Sequence, residues 1–309
     1  MPTPREAHGL GAHVIGQRVV VRRLVRGETG PSGGPAMTDL LGVCTAWADG
    51  FCVVQPEVGD PVRIALADIV SGKPVPPRPP TRHRVAPREA QLRAMALFPD
   101  LETEELGEWV LRRSPTEGAR RANSVLAFGE PGTLGAVDLV RDFYARPPGS
   151  RPIAAVLPGT AGEAAFLERG WVPESDDADT LFQLAGVAQV RRRLSGRASD
   201  AVRLEESTSG GAGLARAQLA LDGEPVASGV AAYERDWVGF RSIEVAPTHR
   251  RRGLGLAVMA TLLEWGAEQG ATTAYLQVLG QNDAALGLYR SLGFGTHHAY
   301  RYLAAPAER

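Results

Sequence analysis

One internal repeat limits what this chain can fold into more than any other feature of its sequence. In the first copy, Ser124-Val-Leu-Ala-Phe128 precedes a helix expected over 135–144, a strand over 152–157, a helix over 161–168 and then Gly170-Trp171. In the second, Ser242-Ile-Glu-Val-Ala-Pro247 precedes a helix expected over 255–269, a strand over 273–278, a helix over 283–292 and then Gly293-Phe294. Phe166 stands four residues before Gly170, and Tyr289 four before Gly293, so both copies close in the same register. Strand, helix, strand, helix with short connections is a βαβα unit, whose parallel strands gather ligands at their carboxyl ends. The expected class is α/β, with two tandem halves.

The remainder of the 309 residues leaves room for a further domain. Hydrophobic residues make up 44% and charged residues 22%, which excludes wholesale disorder and a fibrous repeat. Mean hydropathy is −0.13, and no apolar run approaches the roughly 20 residues that span a bilayer. The segment from Met1 to Gly11 has no apolar run of the kind a secretory signal needs, so a cytoplasmic protein is expected. Cys44 and Cys52 read as small core residues and not as a disulfide framework or a zinc site.

Short apolar-alternating runs at 17–25, 40–46, 51–55 and 62–69, split by turn signals such as Ala48-Asp49-Gly50, predict a small all-β, SH3-like barrel over 1–72. A Pro/Arg-rich linker follows over 73–86, extended because proline cannot continue a helix. Residues 87–186 then hold the first half and 187–309 the second, with helical spacing, or a helix running into a strand, expected at 87–98 and 103–111. The segment 73–93 is basic, whereas 94–186 carries eight basic against fifteen acidic residues. The basic connector can dock on that acidic segment, so nucleic acid is not the favoured partner.

The loop after the first strand of the second copy is Pro247-Thr-His-Arg250-Arg251-Arg252-Gly253-Leu254-Gly255-Leu256. Glycines two apart at a helix entry let backbone N–H groups approach an anion, and three arginines supply counter-charge. A pyrophosphate fits such a loop. No Gly-x-Gly-x-x-Gly is present, and no Gly-Lys-Ser/Thr follows because Lys73 is the chain's one lysine; a dinucleotide or nucleoside triphosphate site is disfavoured.

Val245-Ala-Pro247, Arg250-Arg-Arg-Gly253-Leu-Gly255, Asn282-Asp-Ala-Ala-Leu-Gly-Leu-Tyr289 and Gly293-Phe294 resemble the GNAT superfamily of acyl-CoA-dependent N-acyltransferases over roughly 203–303. The whole chain also resembles a group of actinobacterial proteins with an SH3-like amino-terminal module. The resemblance implies that the loop amides from Arg250 through Leu256 hold the pyrophosphate of acetyl-CoA, and that the Val245 backbone contacts the pantetheine and thioester carbonyl. It also implies that Asn282 contacts the cofactor and that Tyr289 protonates the departing thiolate. No metal is implied. The first copy departs from the pattern: its loop carries Glu130-Pro131 and no arginine, and Phe166 replaces the tyrosine, so 87–186 reads as a degenerate GNAT-like half.

Acyl transfer to an amine needs a neutral amine, a polarised carbonyl and a protonated leaving group. Glu244, which interrupts an apolar strand directly before the loop, is the candidate base, with a solvated or arginine-paired carboxylate as the bland alternative; Glu205 and Glu206 are weaker candidates. His249 reads as an exposed loop residue, and His297 and His298 as edge-strand surface residues or neighbours of the acceptor. The stretch between Val187 and Ala215 is too short for two long helices, so the acidic middle segment is expected to wall the acceptor site. The function expected is acetyl transfer from acetyl-CoA to a primary amine on a small molecule or protein, with no membrane partner; the alternative is a non-catalytic acyl-CoA sensor. The sequence assigns no oligomeric state.

Overall fold

A computed structural model describes residues 9–30, 33–56, 59–75, 81–146, 149–209 and 211–306, and the chain divides into compact units at Pro80 and Thr81. The amino-terminal unit contains strands β1 (Arg18–Thr29), β2 (Pro35–Ala48), β3 (Phe51–Pro56), β4 (Val62–Ala65) and β5 (Ile69–Pro74). They form one antiparallel sheet in the order β4-β3-β2-β1-β5. Asp49 and Gly50, with φ of 54° and 79°, form the two-residue turn between Ala48 and Phe51 that their sequence foretells. Alternate residues Val19, Val21, Cys52 and Val54 face a common core with Cys44, Ile64 and Ile69. Both thiols are free and buried, and burial pushes that of Cys52 up to about 11.

The closed barrel expected over 1–72 is not found: β4 and β5 end the sheet as unpaired edges among the described residues. The linker also starts later than expected, because Lys73 and Pro74 are strand residues opposite Val20 and Val19. Pro76 to Pro80, the core of the proposed extended linker, lie outside the described residues.

In the second unit, helix α1 (Pro87–Ala94) runs into a 3-10 turn at Met95–Leu97, and strands β6 (Glu102–Leu106) and β7 (Trp109–Arg113) follow. The last two correct the helical spacing expected at 103–111: Gly107, at φ 59°, turns the chain so that Leu106 pairs with Trp109. The first repeat is β8 (Val125–Ala127), α2 (Ala136–Ala145), β9 (Ile153–Val156), α3 (Ala161–Glu168), the short β10 (Val172–Pro173) and β11 (Thr180–Gly186). After α4 (Val187–Leu194), β12 (Val202–Ser209), β13 (Ala212–Leu221) and β14 (Glu224–Glu234) comes the second repeat. It consists of β15 (Trp237–Val245), α5 (Leu254–Glu268), β16 (Thr273–Leu279), α6 (Asp283–Leu292) and β17 (Gly295–Ala304). No helix among the described residues is long and apolar enough to cross a membrane.

All of these strands belong to one sheet, in the order β12-β13-β14-β15-β16-β11-β17-β9-β8-β7-β6, with β10 paired to β17. Each repeat keeps its parallel pair, β8 with β9 and β15 with β16. Its last strand crosses over: β11 pairs with β16 of the second repeat, β17 pairs with β9 of the first, and β11 and β17 pair with each other. The halves recognisable at 87–186 and 187–309 are therefore copies within one compact unit.

His297 and His298 lie on β17 in mid-sheet and not on an edge. His298 is 8% exposed, stacked on Phe182 at 4.9 Å. Its Nε2 is 3.1 Å from the Gln91 amide, the two Nδ1 atoms of His297 and His298 are 2.7 Å apart, and His297 Nε2 is 2.7 Å from the Val85 carbonyl. One neutral arrangement satisfies every link: Gln91 donates to His298, His298 Nδ1 donates to His297, and His297 Nε2 donates to Val85. Burial, aided by His297, lowers the His298 pKa from 6.5 to about 3. The folded state thus holds His298 neutral while the unfolded chain protonates it, so this contribution is complete above pH 6.5 and drains away as pH falls toward 3, at about 1.4 kcal/mol per pH unit. Urea titrations of the full chain at pH 7 and pH 5 will show lower stability at pH 5, and His298→Phe will flatten that dependence. An unchanged slope in the variant refutes the assignment.

Candidate functional site

The parallel pairing of β15 with β16 runs from Trp237 opposite Thr273 to Phe240 opposite Leu276 and then stops, although both strands continue. The cause lies on the other side of β15. Ser228 is opposite Glu244 and Val230 opposite Arg241, so the register slips around Gly229 and Ser242. Ser242 takes up the slip with a left-handed φ of 53°. A bulge of this kind bends its strand and re-aims the residues beyond it. The ends of β15 and β16 part, and a cleft of about 820 Å3 opens there, lined among others by Glu244, Val245, Arg250, Arg251 and Asn282.

The loop from β15 to α5 is shaped by positive φ at Arg251 (60°) and at Gly253 (81°), the residue capping α5. Arg250 Nε donates to the Val245 carbonyl at 3.2 Å, tying the loop to the strand end. Leu256 and Ala257 donate to the Gly253 carbonyl, but among the described residues no acceptor receives the N–H groups of Arg251, Arg252, Gly253, Leu254 or Gly255. Five successive donors at a helix amino terminus favour an anion. A Cβ on Gly255 would lie 3.3 Å from Val245 Cγ2, so glycine keeps helix and strand end close. Arg197, a cation absent from the sequence reading, lies beside Gly253: its Nη1 is 3.7 Å from where a Cβ would be.

Asn282 caps α6, accepting from the Ala285 N–H at 3.1 Å. Tyr289, two turns on, packs against the carboxyl-terminal core, its ring 5.9 Å from that of Phe294. Burial raises its pKa, which keeps the phenol protonated at neutral pH. Its hydroxyl has no hydrogen-bond partner among the described residues. Leu288, its neighbour, lines the cleft, whereas Tyr289, Arg252 and the segment Gly253 to Leu256 are not among the lining residues. Glu244 is exposed and lies on the strand face opposite Ile243 and Val245, as alternation predicts.

Glu244, Ser228 and Gln218 also line a second cleft of about 370 Å3. Of the residues that line it, Glu117 comes from the middle segment and the others from β12 to β15; Arg241 donates to the Leu97 carbonyl at 2.9 Å and to the Glu117 carboxylate at 2.5 Å. Gln218, Ser228 and Glu117 escaped the sequence reading because they belong to no motif; strand register brings Gln218 and Ser228 to the site, and the ion pair with Arg241 brings Glu117. No group of three or more His, Cys, Asp or Glu residues able to hold a metal occurs among the described residues.

The first repeat is closed at the corresponding strand end. Its β8 stays paired with β9 to the end, Ala127 opposite Val156. A Cβ on Gly162 would lie 2.8 Å from the Ala127 carbonyl oxygen, so α3 closes directly over the strand end. The loop is spent internally: Glu130 N–H donates to the Glu108 carboxylate at 2.8 Å, and Trp109 Nε1 to the Gly129 carbonyl at 2.9 Å. Phe166 is fully buried, 5.0 Å from the Trp109 ring and 4.7 Å from that of Trp171.

Comparison with known proteins gives a consistent picture. Residues 192–303 match the family model described as "Probable histone acetyltransferase Rv0428c C-terminal". The chain is 28% identical over 307 residues to "Probable histone acetyltransferase Rv0428c" of Mycobacterium tuberculosis, covering 94% of this chain and 95% of that protein. It is 35% identical over 77 residues to the "[Ribosomal protein bS18]-alanine N-acetyltransferase" of Escherichia coli, 25% of this chain and 52% of the relative. A solved GCN5-related N-acetyltransferase from Kribbella flavida superposes with a TM-score of 0.50 at 19% identity, over 75% of this chain and 98% of that one, and is a likeness of fold. Together these support an acetyltransferase of GNAT type.

The bulge carries its own test. A β-branched residue resists the left-handed region by about 1–2 kcal/mol. Ser242→Val will therefore lower the unfolding free energy obtained from urea titration by about that amount, whereas Ser242→Gly will not. Equal stability of Ser242→Val and the parent would mean that the bulge is absent.

Proposed function

We propose that the chain transfers an acetyl group from acetyl-CoA to a primary amine, with the cleft between β15 and β16 as the donor site. The observation that carries this reading is the run of five backbone N–H groups without acceptors, Arg251 to Gly255, which starts at Arg251 on the lining of a cleft opened by the bulge at Ser242. Arg250, Arg251 and Arg252 add counter-charge for a pyrophosphate, Leu254 and Leu256 anchor the first turn of α5 on the core, and Asn282 reaches the cleft from α6. When bound, acetyl-CoA supplies an activated thioester. Val245, at the strand end, presents its backbone to the thioester carbonyl. Glu244, common to both clefts, takes the proton from the amine entering from the 370 Å3 side. Tyr289, kept protonated by burial, gives a proton to the sulfur.

The same reading assigns the donor site to the second repeat alone, with the first as a degenerate half that retains packing. It makes the amino-terminal sheet an SH3-like accessory without a chemical group in the reaction, and it assigns the protein to the cytoplasm, where the free thiols Cys44 and Cys52 stay reduced.

Titration calorimetry will find one acetyl-CoA per chain, with affinity reduced about tenfold or more, roughly 1.4 kcal/mol, by Gly253→Pro or Arg250→Glu. Two sites per chain would overturn the assignment to one repeat.

Tyr289→Phe will lower turnover toward the lower end of the roughly 10²–10⁴-fold range of general acid catalysis and leave acetyl-CoA affinity nearly unchanged, because the hydroxyl acts only as the thiolate departs. Full turnover in that variant, with chemistry rate-limiting, removes Tyr289 from the mechanism. Binding without thiol release on any amine would instead favour an acyl-CoA sensor.

A further inference from the structure

The floor of the 370 Å3 cleft is two cross-strand rows of side chains. One row runs Glu205, Arg216, Val230, Arg241 from β12 to β15, and the next runs Arg203, Gln218, Ser228, Glu244. Their charges are separated along the row direction. Arg241, at the β15 end, is already neutralised by Glu117 of the middle segment. Glu244, beside it, has no ion pair among the described residues and borders the donor cleft. At the other end one carboxylate stands beside two cations: Glu205 Oε1 is 4.0 Å from Arg203 Nε, at the limit of an ion pair, and Arg216 stands opposite Glu205 in register without an ion pair among the described residues. The cleft as a whole is neutral but polarised, with a surplus carboxylate where the reaction would occur and a surplus guanidinium two to three strands away. With strands about 4.8 Å apart, that separation is on the order of 10 Å.

We propose that the acceptor is an amino acid type of molecule, a primary amine that carries a carboxylate at the far end of a chain several atoms long, with Arg216, helped by Arg203, as the residues that select the carboxylate. This rests on the proposed transferase reading, since it names the class of its acceptor. The amine is drawn to Glu244 and the carboxylate to the guanidinium end, where a charge-assisted bond forms in a geometry that a plain alkylamine cannot use. A diamine would place its second cation against Arg216. Binding such a zwitterion leaves the Glu117–Arg241 pair in place, so the middle segment keeps its role as wall.

The test is equilibrium binding to the full chain, saturated with CoA, of 6-aminohexanoate, 6-aminohexanamide and 1,6-diaminohexane. The acid is expected to bind about tenfold more tightly than the amide. The Arg203→Ala/Arg216→Ala double variant is expected to bind the two alike, and Arg216→Glu to favour the diamine. Both arginines are exposed, and thermal unfolding of each variant checks that the fold survives. Equal binding of acid and amide to the parent chain, failure of both to bind, or a preference that persists in the double variant would overturn the proposal. Acetyl-CoA turnover is scored separately: selective binding of the acid without acetylation of any amine would sustain the assignment of the cleft and sink the transferase reading.

Discussion

At the middle of the large sheet β11 and β17 lie antiparallel, each hydrogen-bonded to the other and to the central strand of the opposite repeat. Removing either repeat would strip a strand from the other's parallel pair and expose its backbone groups, an edge that folded proteins avoid. A repeat whose loop no longer suits an anion is therefore still required as a partner in the sheet. The exchange also props the cleft open. β16 is bonded to β11 along its full length, from Thr273 opposite Gly186 to Leu279 opposite Thr180, so the last turns of β15 can leave it without loosening it. In the first repeat β8 never leaves β9, and Phe166 with its two tryptophan neighbours fills the space.

The exchanged strands, with β15 and β16 beside them, also carry a continuous row of rings on the face covered by α1. Trp237, Tyr275, Phe182 and His298 follow one another across four adjacent strands, at centroid spacings of 5.8, 5.5 and 4.9 Å. Such contacts contribute roughly 0.5–1.5 kcal/mol each beyond the area they bury. The row sets the height of α1: the Tyr275 hydroxyl donates to the Arg93 carbonyl, and the Arg93 guanidinium lies 4.7 Å over Trp237 while bonding to Glu89 and Asp236. Gly239 makes room for it, since a Cβ there would fall 2.0 Å from Tyr275 Cζ. Because the 3-10 turn after α1 ends at Leu97, whose carbonyl holds Arg241, packing of the aromatic row fixes one wall of the second cleft.

Local signals were legible in the sequence. Helices α3 and α6 have the bounds read from spacing, and β16 and α5 differ by one residue, because periodicity and capping are encoded within a few positions. Glu244, Val245, Arg250, Arg251 and Asn282 were legible too, and they converge on one cleft. What depends on pairing was not. Nothing in the periodicity of 180–186 says that this run belongs beside a strand almost a hundred residues later, and a histidine pair near the chain end reads as surface until β17 proves to be central. At 102–113 a strand was one alternative but the hairpin was not read, because Glu-Thr-Glu-Glu-Leu fits a helix face as well as a strand, and Gly107 decides between them. Tyr289 is marked by the pattern, and the neighbouring Leu288 lines the cleft.

The acidic excess of the middle segment suggests long-range attraction of a cation, yet part of it has a nearer use. Glu174 and Asp177 hold Arg120, Asp138 holds Arg169, and Glu104 holds Arg146 within the segment. Glu163 and Asp179 hold Arg301 of β17, and Glu117 holds Arg241 of β15, so part of the surplus answers arginines of the second repeat. Exposed pairs of this kind contribute little each, typically 0–1 kcal/mol, but Arg241 and Glu117 are mostly withdrawn from solvent and less screened. Charge complementarity between the copies thus reinforces the strand exchange, and the field in the second cleft is set by the few charges that line it. Selectivity there follows from which of those charges are left over once Glu117 and Arg241 have found each other.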